Sequence, residues 1–502
     1  MTDYAFGTSS RSTKLIHGGL QYLKQLEIGL VKEVGKEREI VYENGPHVTT
    51  PEWMMLPLYK DGTFGPLLTN IGLRVYDFLA GVKKSERRKM LTKEEALIKE
   101  PLLRKEGLLG AGYYVEYKTD DARLTIEVVK KAVELGAIAL NYTKVVKFLY
   151  DEHEKLKGVV VEDQITKEKY TILAKKIVNA TGPWVDELRK LDNDEIDKKI
   201  VLTKGVHIVF PKEKFPLKQA VYFDSPDGRM IFAIPRKNKT YVGTTDTLYH
   251  GSLETPTVTE IDRKYLLYVI QSMFPTLSLK DEDIESSWAG LRPLIAKNNA
   301  NPSEISRKDE MFLSKSGLYS IAGGKLTGYR KMAEQVVDRI LADFKREGII
   351  YTTSKTKKLP ISGGDVGGSD GFNRWKKEKL QEGIKRQLSE EEVSNLIQTY
   401  GTNVDEIFKL MDQHRDEIER NQVDIILYAT LLYSIYNEQA YKPTDYFIRR
   451  TGSLLFDIHQ VETNKQQVLK IMDTILQWDD EEKERYKEEL NQLIFEAKYP
   501  SE

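Results

Sequence analysis

The most regular alternation of apolar and polar positions begins near residue 120. Asp120 and Asp121 are suited to accept the free backbone N–H groups of a first helical turn. Gly136 is suited to end a helix. Between them, apolar residues recur on one helical face at Leu124, Val128, Ala132 and Leu135. The pattern predicts a helix with one buried face.

Two stretches carry short apolar runs punctuated by Gly and Pro, which is typical of β-strands. The first predicts strands at 145–150, 158–162 and 170–173, the last running on to 176–180. The second predicts strands at 203–210, 219–223, 230–234 and 240–243. A helix over about 260–273 follows, and then a strand at 318–322 that leads into a helix over about 326–344. Residues 25–118 show short apolar runs separated by turns.

The pattern changes near residue 351. From there the chain is highly charged and mostly helical in its periodicity, with the glycine-rich segment 363–368 near its start. We therefore predict a separate helical domain over residues 352–502.

Length and composition limit the chemistry. A chain of 502 residues exceeds one hydrophobic core, so two or three domains are expected. The net charge of -1 argues against a broad nucleic-acid surface. The lack of cysteine excludes disulfides, thiolate nucleophiles and cysteine-ligated iron–sulfur or zinc sites. Redox chemistry here needs a bound organic cofactor or non-cysteine metal ligands, and we predict no metal site.

The chain shows no signal peptide and no membrane-spanning segment, so a cytoplasmic location is expected. Its most apolar stretch, Phe64 to Gly81, is followed by a basic run from Lys83 to Lys89. A helix of this kind can lie on an anionic bilayer surface. The same pattern fits a packed helix whose C-terminal end is stabilised by positive charge, and we favour that interpretation.

Two apolar strands end in glycine-containing turns. In IVNATGPW (177–184), Gly182 lets the backbone approach a cofactor closely. In SIAGGKLT (320–327), two glycines precede a helix whose first N–H groups and positive end favour an anion. A reduced flavin carries negative charge that such a terminus stabilises. Each turn, taken alone, also fits an ordinary structural role.

Hydroxyl groups are concentrated near the start of the chain. Five of the six residues from Thr8 to Thr13 bear one. They supply donors for a polar chain such as ribityl or phosphate. As composition alone, the segment also fits a loop.

Six motifs together point to one family: GTSSRSTKLIHGGLQYL (7–23), YKTDDARL (117–124), VNATGPW (178–184), VGTTD (242–246), AGLRPL (289–294) and AGGKLTGYRK (322–331). Through them the chain resembles the flavin-dependent glycerol-3-phosphate dehydrogenases of the Gram-positive bacterial type. The resemblance implies oxidation of sn-glycerol 3-phosphate to dihydroxyacetone phosphate, with hydride transfer to FAD and electrons passed to quinone at the membrane surface. It is compatible with a homo-oligomer and with peripheral attachment to the plasma membrane.

The implied fold class is α/β with an added all-α part. It combines a dinucleotide-binding fold for FAD, an antiparallel β substrate domain and a C-terminal helical domain. We expect the oxidoreductase domain at 1–200 and 285–351, with substrate-domain strands inserted at 40–115 and 201–284. The helical domain is expected at 352–502.

The resemblance also assigns site residues. It implies that His207 is the base that removes the substrate hydroxyl proton, and that Arg292, Arg307 and Lys325 are cations for phosphate and oxyanion. Without the resemblance, His207 fits a buried strand histidine equally well. Gln21 and Tyr22 complete the implied substrate pocket. The implied cofactor contacts are Thr8, Ser9, Ser10, Lys14, His17, Gly18, Gly19, Ala180, Thr181, Gly182, Gly323, Gly324, Lys325, Leu326 and Thr327.

Two features depart from the family pattern. The sequence contains no Gly-x-Gly-x-x-Gly motif to cradle a pyrophosphate, and Met1 falls just beyond the strand that should follow that motif. We therefore expect a FAD-binding fold truncated at its N-terminus, through either a start assigned at an internal methionine or a truncated gene. Gln21 stands where the family has arginine, so a neutral group replaces a bidentate charged contact.

Two other functions stay open from the sequence. A glycerol-3-phosphate oxidase uses the same site with oxygen as acceptor. A truncated, non-catalytic remnant unable to bind FAD accounts for the missing glycine motif and Gln21. The intact His207, Arg292 and Lys325 favour an enzyme.

Overall fold

The computed structural model describes residues 2–17, 28–62, 65–79, 86–192, 198–297 and 308–502. Its strands are β1 (Leu15–Ile16), β2 (Thr49–Tyr59), β3 (Lys89–Leu91), β4 (Leu108–Thr119), β5 (Thr143–Tyr150), β6 (Leu156–Asp163), β7 (Lys169–Leu173), β8 (Ile177–Asn179), β9 (Lys198–Pro211), β10 (Ala220–Asp224), β11 (Met230–Arg236), β12 (Lys239–Gly243), β13 (Thr247–Leu248), β14 (Ser286–Lys297), β15 (Glu310–Leu313) and β16 (Leu318–Ala322).

Its α-helices are α1 (Ile28–Asn44), α2 (Pro66–Leu79), α3 (Lys93–Lys99), α4 (Asp121–Glu134), α5 (Val185–Leu191), α6 (Glu260–Met273), α7 (Tyr329–Arg346), α8 (Gly368–Ile384), α9 (Glu390–Tyr400), α10 (Val404–Gln413), α11 (Arg415–Asn421), α12 (Ile425–Glu438), α13 (Ser453–Phe456), α14 (Ile458–Leu476) and α15 (Asp480–Lys498). Short 3-10 turns at Thr8–Ser10, Gly182–Trp184 and Leu326–Gly328 lie beside the predicted site.

Among the described residues, ten strands form one large sheet. β1, β4, β2, β10, β11, β12, β9 and β13 lie side by side in that order, β14 pairs with β9, and β3 pairs with β4. The pairing of β2 with β10 is parallel, and the others are antiparallel. This sheet supplies the antiparallel β part that the resemblance implies. Its longest ladder joins β14 to β9 over residues 286–297, which lie within the segment expected in the oxidoreductase domain.

The helix α6 covers one face of this sheet and has the bounds that the sequence predicts. Thr259 and Asp262 cap its first turn reciprocally, each side chain accepting from the other residue's backbone N–H. Leu266, Val269 and Ile270 are buried in the core with the sheet's apolar side chains. Each such buried side chain contributes about 1.5–3 kcal/mol to stability.

Two smaller sheets carry the remaining strands. β5, β6 and β7 form one antiparallel sheet, and β15, β16 and β8 form the other. The predicted run from 170 through 180 is therefore wrong as one strand, because it breaks between Leu173 and Ile177 and its two parts join different sheets. β8 and β16 are parallel, with Asn179 opposite Ser320, so both end at the same edge.

The helix α1 lies in the segment where the sequence indicated only short apolar runs. Val31, Val34 and Val41 are buried on one of its faces, and so are Glu37 and Arg38. Glu37 pairs with Arg330 at 2.6 Å, and Arg38 pairs with Glu116 at 3.1 Å. These two buried charged residues interrupt the apolar face. The helical spacing of the apolar residues is therefore not evident in the sequence.

Among the described side chains, the apolar helix α2 has one buried face and one exposed face. Thr69 and Leu73 are buried against Gly112 of β4. On the other side Leu67, Leu68 and Ile71 are exposed by 73%, 75% and 51%. The favoured prediction of a packed helix therefore holds for the side of the helix that carries Thr69 and Leu73.

The elements described from residue 368 onward are helices. α9 begins with a reciprocal cap between Ser389 and Glu392, and its apolar face joins the core shared with α10, α12 and α14. This agrees with the predicted helical character of 352–502. Across the described ranges, no helix has both the length and the apolar character needed to cross a bilayer.

Candidate functional site

The two glycine turns predicted as cofactor contacts lie side by side. β8 and β16 are adjacent parallel strands, so Ala180, Thr181 and Gly182 leave the sheet at the same edge as Gly323 and Gly324. Gly182, Gly323 and Gly324 have φ of 59°, 77° and 79°, which glycine adopts readily. The carboxyl edge of adjacent parallel strands is where dinucleotide-binding folds hold their ligand.

The hydroxyl-rich segment runs beside this edge. The Thr8 hydroxyl donates to the Leu291 carbonyl of β14 at 2.7 Å. The His17 backbone N–H donates to the Thr327 hydroxyl, which in turn donates to the His17 carbonyl, both at 3.1 Å. The predicted contacts at the start of the chain therefore meet Leu326 and Thr327 in the turn that follows Lys325. Ser9 lies in the same 3-10 turn as Thr8.

The Ser10 hydroxyl provides a test of whether these residues fit FAD. It is buried and has no hydrogen-bond partner in the part of the chain that the structure describes. A buried polar atom is normally satisfied, and a bound ligand with phosphate and hydroxyl groups supplies such a partner. A Cβ on Gly182 would meet no atom within 4 Å, so its backbone is accessible. The described residues therefore fit a flavin at this edge.

Lys14 has a structural partner of its own. Its ammonium donates to Asp121 at 2.5 Å and to the Ser10 carbonyl at 3.0 Å, and both charged side chains are buried. Asp121 also accepts from the Ser12 hydroxyl at 2.6 Å. Lys14 therefore forms a buried ion pair that fixes the hydroxyl-rich segment on α4, and its contact with the cofactor stays a prediction.

His207 occupies the centre of one rung of the large sheet. Its neighbours across the strands are Gly243 on β12 and Trp288 on β14, and Phe232 on β11 follows beyond Gly243. The imidazole stacks on the Trp288 indole with ring centroids 4.8 Å apart and planes 12° apart. Its Nε2 lies 2.9 Å from the Thr13 hydroxyl. The predicted base is thus held at a defined orientation beside the hydroxyl-rich segment.

Arg292 lies on the same face of the sheet as His207. Its guanidinium crosses Gly205, which is two residues before His207 on β9. It donates to the Thr244 hydroxyl at 2.8 Å, to the Thr245 carbonyl at 3.1 Å and to Asp246 at 3.2 Å. These contacts orient a cation beside the imidazole.

Burial and neighbouring cations keep the two site histidines neutral. Burial, the Arg292 guanidinium and the Lys14 ammonium lower the pKa of His207 well below 6.5. Burial, the Lys325 ammonium and the Arg38 guanidinium do the same to the pKa of His17. A neutral imidazole is the form that accepts a proton.

The His17 ring connects the two halves of the site. It packs edge-on against Phe232, with centroids 5.9 Å apart, and Phe232 lies in the His207 rung. The predicted residues Gly18, Gly19, Gln21, Tyr22 and Arg307 lie outside the described residues. Of the other predicted residues, the structure places His17 beside Thr327, and His207 and Arg292 on one face of the large sheet.

The sequence did not indicate three residues that lie beside His207. Thr13 and Gly243 lie within the quoted motifs, and Trp288 immediately precedes one of them. Their roles depend on pairing between strands that are distant in sequence, so no local pattern indicates them. The alternation along β14 places Trp288 on the same face as Arg292, but the register with β9 is what brings it beside His207.

Comparison with known proteins gives a consistent result. Residues 2–330 match the FAD dependent oxidoreductase family, and residues 354–483 match the family described as the C-terminal domain of alpha-glycerophosphate oxidase. The chain is 57% identical to the aerobic glycerol-3-phosphate dehydrogenase of Bacillus subtilis, covering 100% of this chain and 90% of that protein. It is 55% identical to that of Staphylococcus epidermidis, covering 99% and 89%.

A solved structure is similar over the whole described fold. The glycerol-3-phosphate dehydrogenase of Bacillus halodurans, solved in complex with FAD, has a TM-score of 0.86 and 45% sequence identity to this chain. The similarity covers 100% of this chain and 89% of that one.

Proposed function

The chain belongs to the FAD-dependent oxidoreductases and, within them, to the aerobic glycerol-3-phosphate dehydrogenases, and on this premise we propose that it oxidises sn-glycerol 3-phosphate to dihydroxyacetone phosphate and passes the electrons to a quinone. The observation that carries the proposal is the neutral imidazole of His207 beside the Arg292 guanidinium on one sheet face. A neutral base next to a fixed cation is what removal of a hydroxyl proton from an anionic substrate requires.

FAD, when bound, supplies the acceptor for the hydride that leaves C2 of the substrate. We assign removal of the C2 hydroxyl proton to His207, whose pKa well below 6.5 leaves at pH 7 the neutral imidazole that can accept it. Ser10, Gly182 and Thr327 line the edge proposed to hold the cofactor.

The cations of the site are proposed to bind the charged parts of the substrate. Arg292 is oriented by Thr244 and Asp246, and we assign its positive charge to the phosphate or the oxygen at C2. Lys325 follows Gly324 at the cofactor edge, and Arg307 is assigned by the resemblance alone. Together they supply the several cations that a phosphate dianion needs.

The relatives' names favour a dehydrogenase over the oxidase and over a non-catalytic remnant. A direct test compares electron acceptors in the flavin-loaded protein. We expect glycerol 3-phosphate to bleach the flavin without air and a soluble quinone to restore its colour, with little peroxide formed in air. Bleaching by an amino acid and not by glycerol 3-phosphate contradicts the substrate, and stoichiometric peroxide contradicts the acceptor.

A quinone dissolved in a membrane requires a surface that contacts lipid, and we assign that surface to α2. Leu67, Leu68 and Ile71 form an exposed apolar stripe, and Arg74 beside them is also exposed. An apolar stripe bordered by positive charge suits the interface of an anionic bilayer. Peripheral attachment of this kind fits the cytoplasmic location that the sequence predicts.

Flotation with vesicles tests this assignment. The double variant Leu68→Ser/Ile71→Ser should lose binding to vesicles containing anionic phosphatidylglycerol while retaining activity with a soluble acceptor. Ile98→Ser on α3 is the matched control, because Ile98 is equally exposed at 78%. Equal loss in both variants, or no binding by the unaltered protein, contradicts the assignment.

A further inference from the structure

We propose that Phe456, a residue of the C-terminal helical domain, is a positioning residue that holds His207 in its reactive orientation through Trp288 and Tyr241. The inference rests on the proposed role of His207 as the base. It gives the helical domain a part in the chemistry, although Phe456 itself does not touch the imidazole in the contacts found.

The first connection passes through the indole of Trp288. Phe456 packs edge-on against Trp288, with centroids 5.3 Å apart and planes 68° apart. Trp288 in turn stacks face to face on the His207 imidazole, with ring centroids 4.8 Å apart. Offset and edge-on ring pairs of this kind fix mutual orientation. A substitution at Phe456 therefore affects the packing of the imidazole through one intervening ring, that of Trp288.

The second connection passes through Tyr241 to the other side of the imidazole. Phe456 also packs edge-on against Tyr241, at 5.5 Å and 73°. The Tyr241 hydroxyl donates to the Thr13 carbonyl at 3.0 Å, and the Thr13 hydroxyl lies 2.9 Å from Nε2 of His207. Phe456 thus supports both the face and the bonded nitrogen of the ring.

The sheet leaves the imidazole little freedom on its remaining side. A Cβ placed on Gly243 would lie 2.2 Å from Cδ2 of His207, so the ring occupies the space where a side chain would otherwise stand. The ring is confined between β12 and Trp288. The β12 side is backbone and therefore rigid. A side-chain substitution can loosen the packing of the imidazole on the Trp288 side.

Phe456 is well anchored for such a role. It ends α13, where the Leu455 carbonyl accepts from the Ser286 hydroxyl of β14 at 2.6 Å. The Arg236 guanidinium of β11 lies 4.3 Å from its ring centroid. The hydrogen bond between Ser286 and Leu455 offers a matched control, because Ser286 belongs to the same domain boundary and takes no part in the ring stack.

Loosening the stack should affect proton transfer more than substrate binding. Arg292 is held by the loop from Thr244 to Asp246. The ring contacts found for Phe456 lead instead to β11, β12 and β14 and to the Lys14 ammonium, 6.0 Å from the ring centroid. Misplacement of a reacting group by 1 Å lowers turnover by up to about 100-fold. For Phe456→Leu we expect about tenfold lower kcat with KM changed less than about twofold.

Two further measurements separate positioning from a structural role. A loosened imidazole meets more water, which removes part of the burial that lowers its pKa, so the acid limb of kcat in Phe456→Leu should move up toward pH 6.5. Diethyl pyrocarbonate should also modify His207 several times faster, as read by peptide mass spectrometry. The exposed His153 serves as internal reference, and Phe456→Tyr should restore the original behaviour.

The inference is overturned by either of two results. One is that Ser286→Ala and Phe456→Leu lower kcat alike without changing the pH profile or His207 modification. The other is that Phe456→Leu retains the original kcat, pH profile and modification rate. His207→Asn tests the proposed function separately: full activity in that variant removes the base assignment, whatever Phe456 does.

Discussion

Asp3 and Arg450 form a buried ion pair that joins the start of the chain to its C-terminal helical domain. Two guanidinium nitrogens of Arg450 donate to the two carboxylate oxygens of Asp3 at 2.5 and 2.9 Å. Arg449 donates to the same carboxylate at 2.6 Å. Because Asp3 lies five residues before Thr8, this pair fixes the segment that forms part of the proposed cofactor edge.

Replacing Asp3 by Asn should lower the free energy of unfolding by about 3–5 kcal/mol at pH 7, because it leaves buried guanidinium charge without its partner. Burial alone would raise the pKa of Asp3, but Arg450 and Arg449 hold it well below 3.8. A carboxylate with a lowered pKa stabilises the fold above its unfolded value, and this stabilisation is lost as the pH falls through the folded value.

Urea unfolding of the two proteins checks this prediction. The difference between Asp3→Asn and the unaltered protein should be complete at pH 7 and should shrink below pH 3.8. Glu152→Gln is the control, because the Glu152 side chain is exposed. A penalty that is the same at pH 7 and pH 3 contradicts an electrostatic role.

The sequence predicted those elements that have capping residues at their ends and apolar residues at regular spacing along one face. α6 begins after Thr259 and keeps its apolar residues on one face, so its bounds agree with the prediction. α1 was missed because Glu37 and Arg38 stand on its buried face, and their partners Arg330 and Glu116 lie far along the chain. Long-range pairing of this kind leaves no local trace.

The same distinction applies to the site. The resemblance pointed to His207 and Arg292, and the structure places both on one face of β9 and β14. Trp288 was missed because its contact with His207 follows from the register between those strands. Lys14 was assigned to the cofactor, yet its charge is matched by Asp121, a pairing that spans 107 positions.

Replacing His207 by Asn should lower kcat by about 10²–10⁴-fold, the usual contribution of a positioned base. The flavin content, read from visible absorbance, should stay unchanged. In the unaltered protein kcat should be flat from pH 8 to 6.5 and fall only at lower pH, because the pKa of His207 lies well below 6.5. An acid limb centred at pH 6.5 would contradict the neutral, buried imidazole.

Replacing Gly182 by Val should remove bound FAD. The φ of 59° strains any L side chain by about 1–2 kcal/mol, and the new side chain projects into the open space at the cofactor edge. Gly228→Val is the matched control, since Gly228 has φ of 82° and similarly open surroundings in the turn between β10 and β11. We expect similar losses of melting temperature in both variants and loss of visible flavin absorbance only in the first. Retention of flavin by Gly182→Val would place the cofactor elsewhere.

Replacing Gln21 by Arg should lower the KM for glycerol 3-phosphate and leave kcat nearly unchanged. The resemblance implies arginine at this position, and a charge-assisted contact to phosphate is worth about 1.5–3 kcal/mol. The phosphate is remote from the C2–H bond, so the contact is nearly equal in the ground state and the transition state and changes KM. About tenfold in KM corresponds to each 1.4 kcal/mol. Steady-state kinetics with glycerol as the substrate lacking phosphate provides the control. If KM is unaltered, or if glycerol benefits equally, residue 21 does not contact the phosphate.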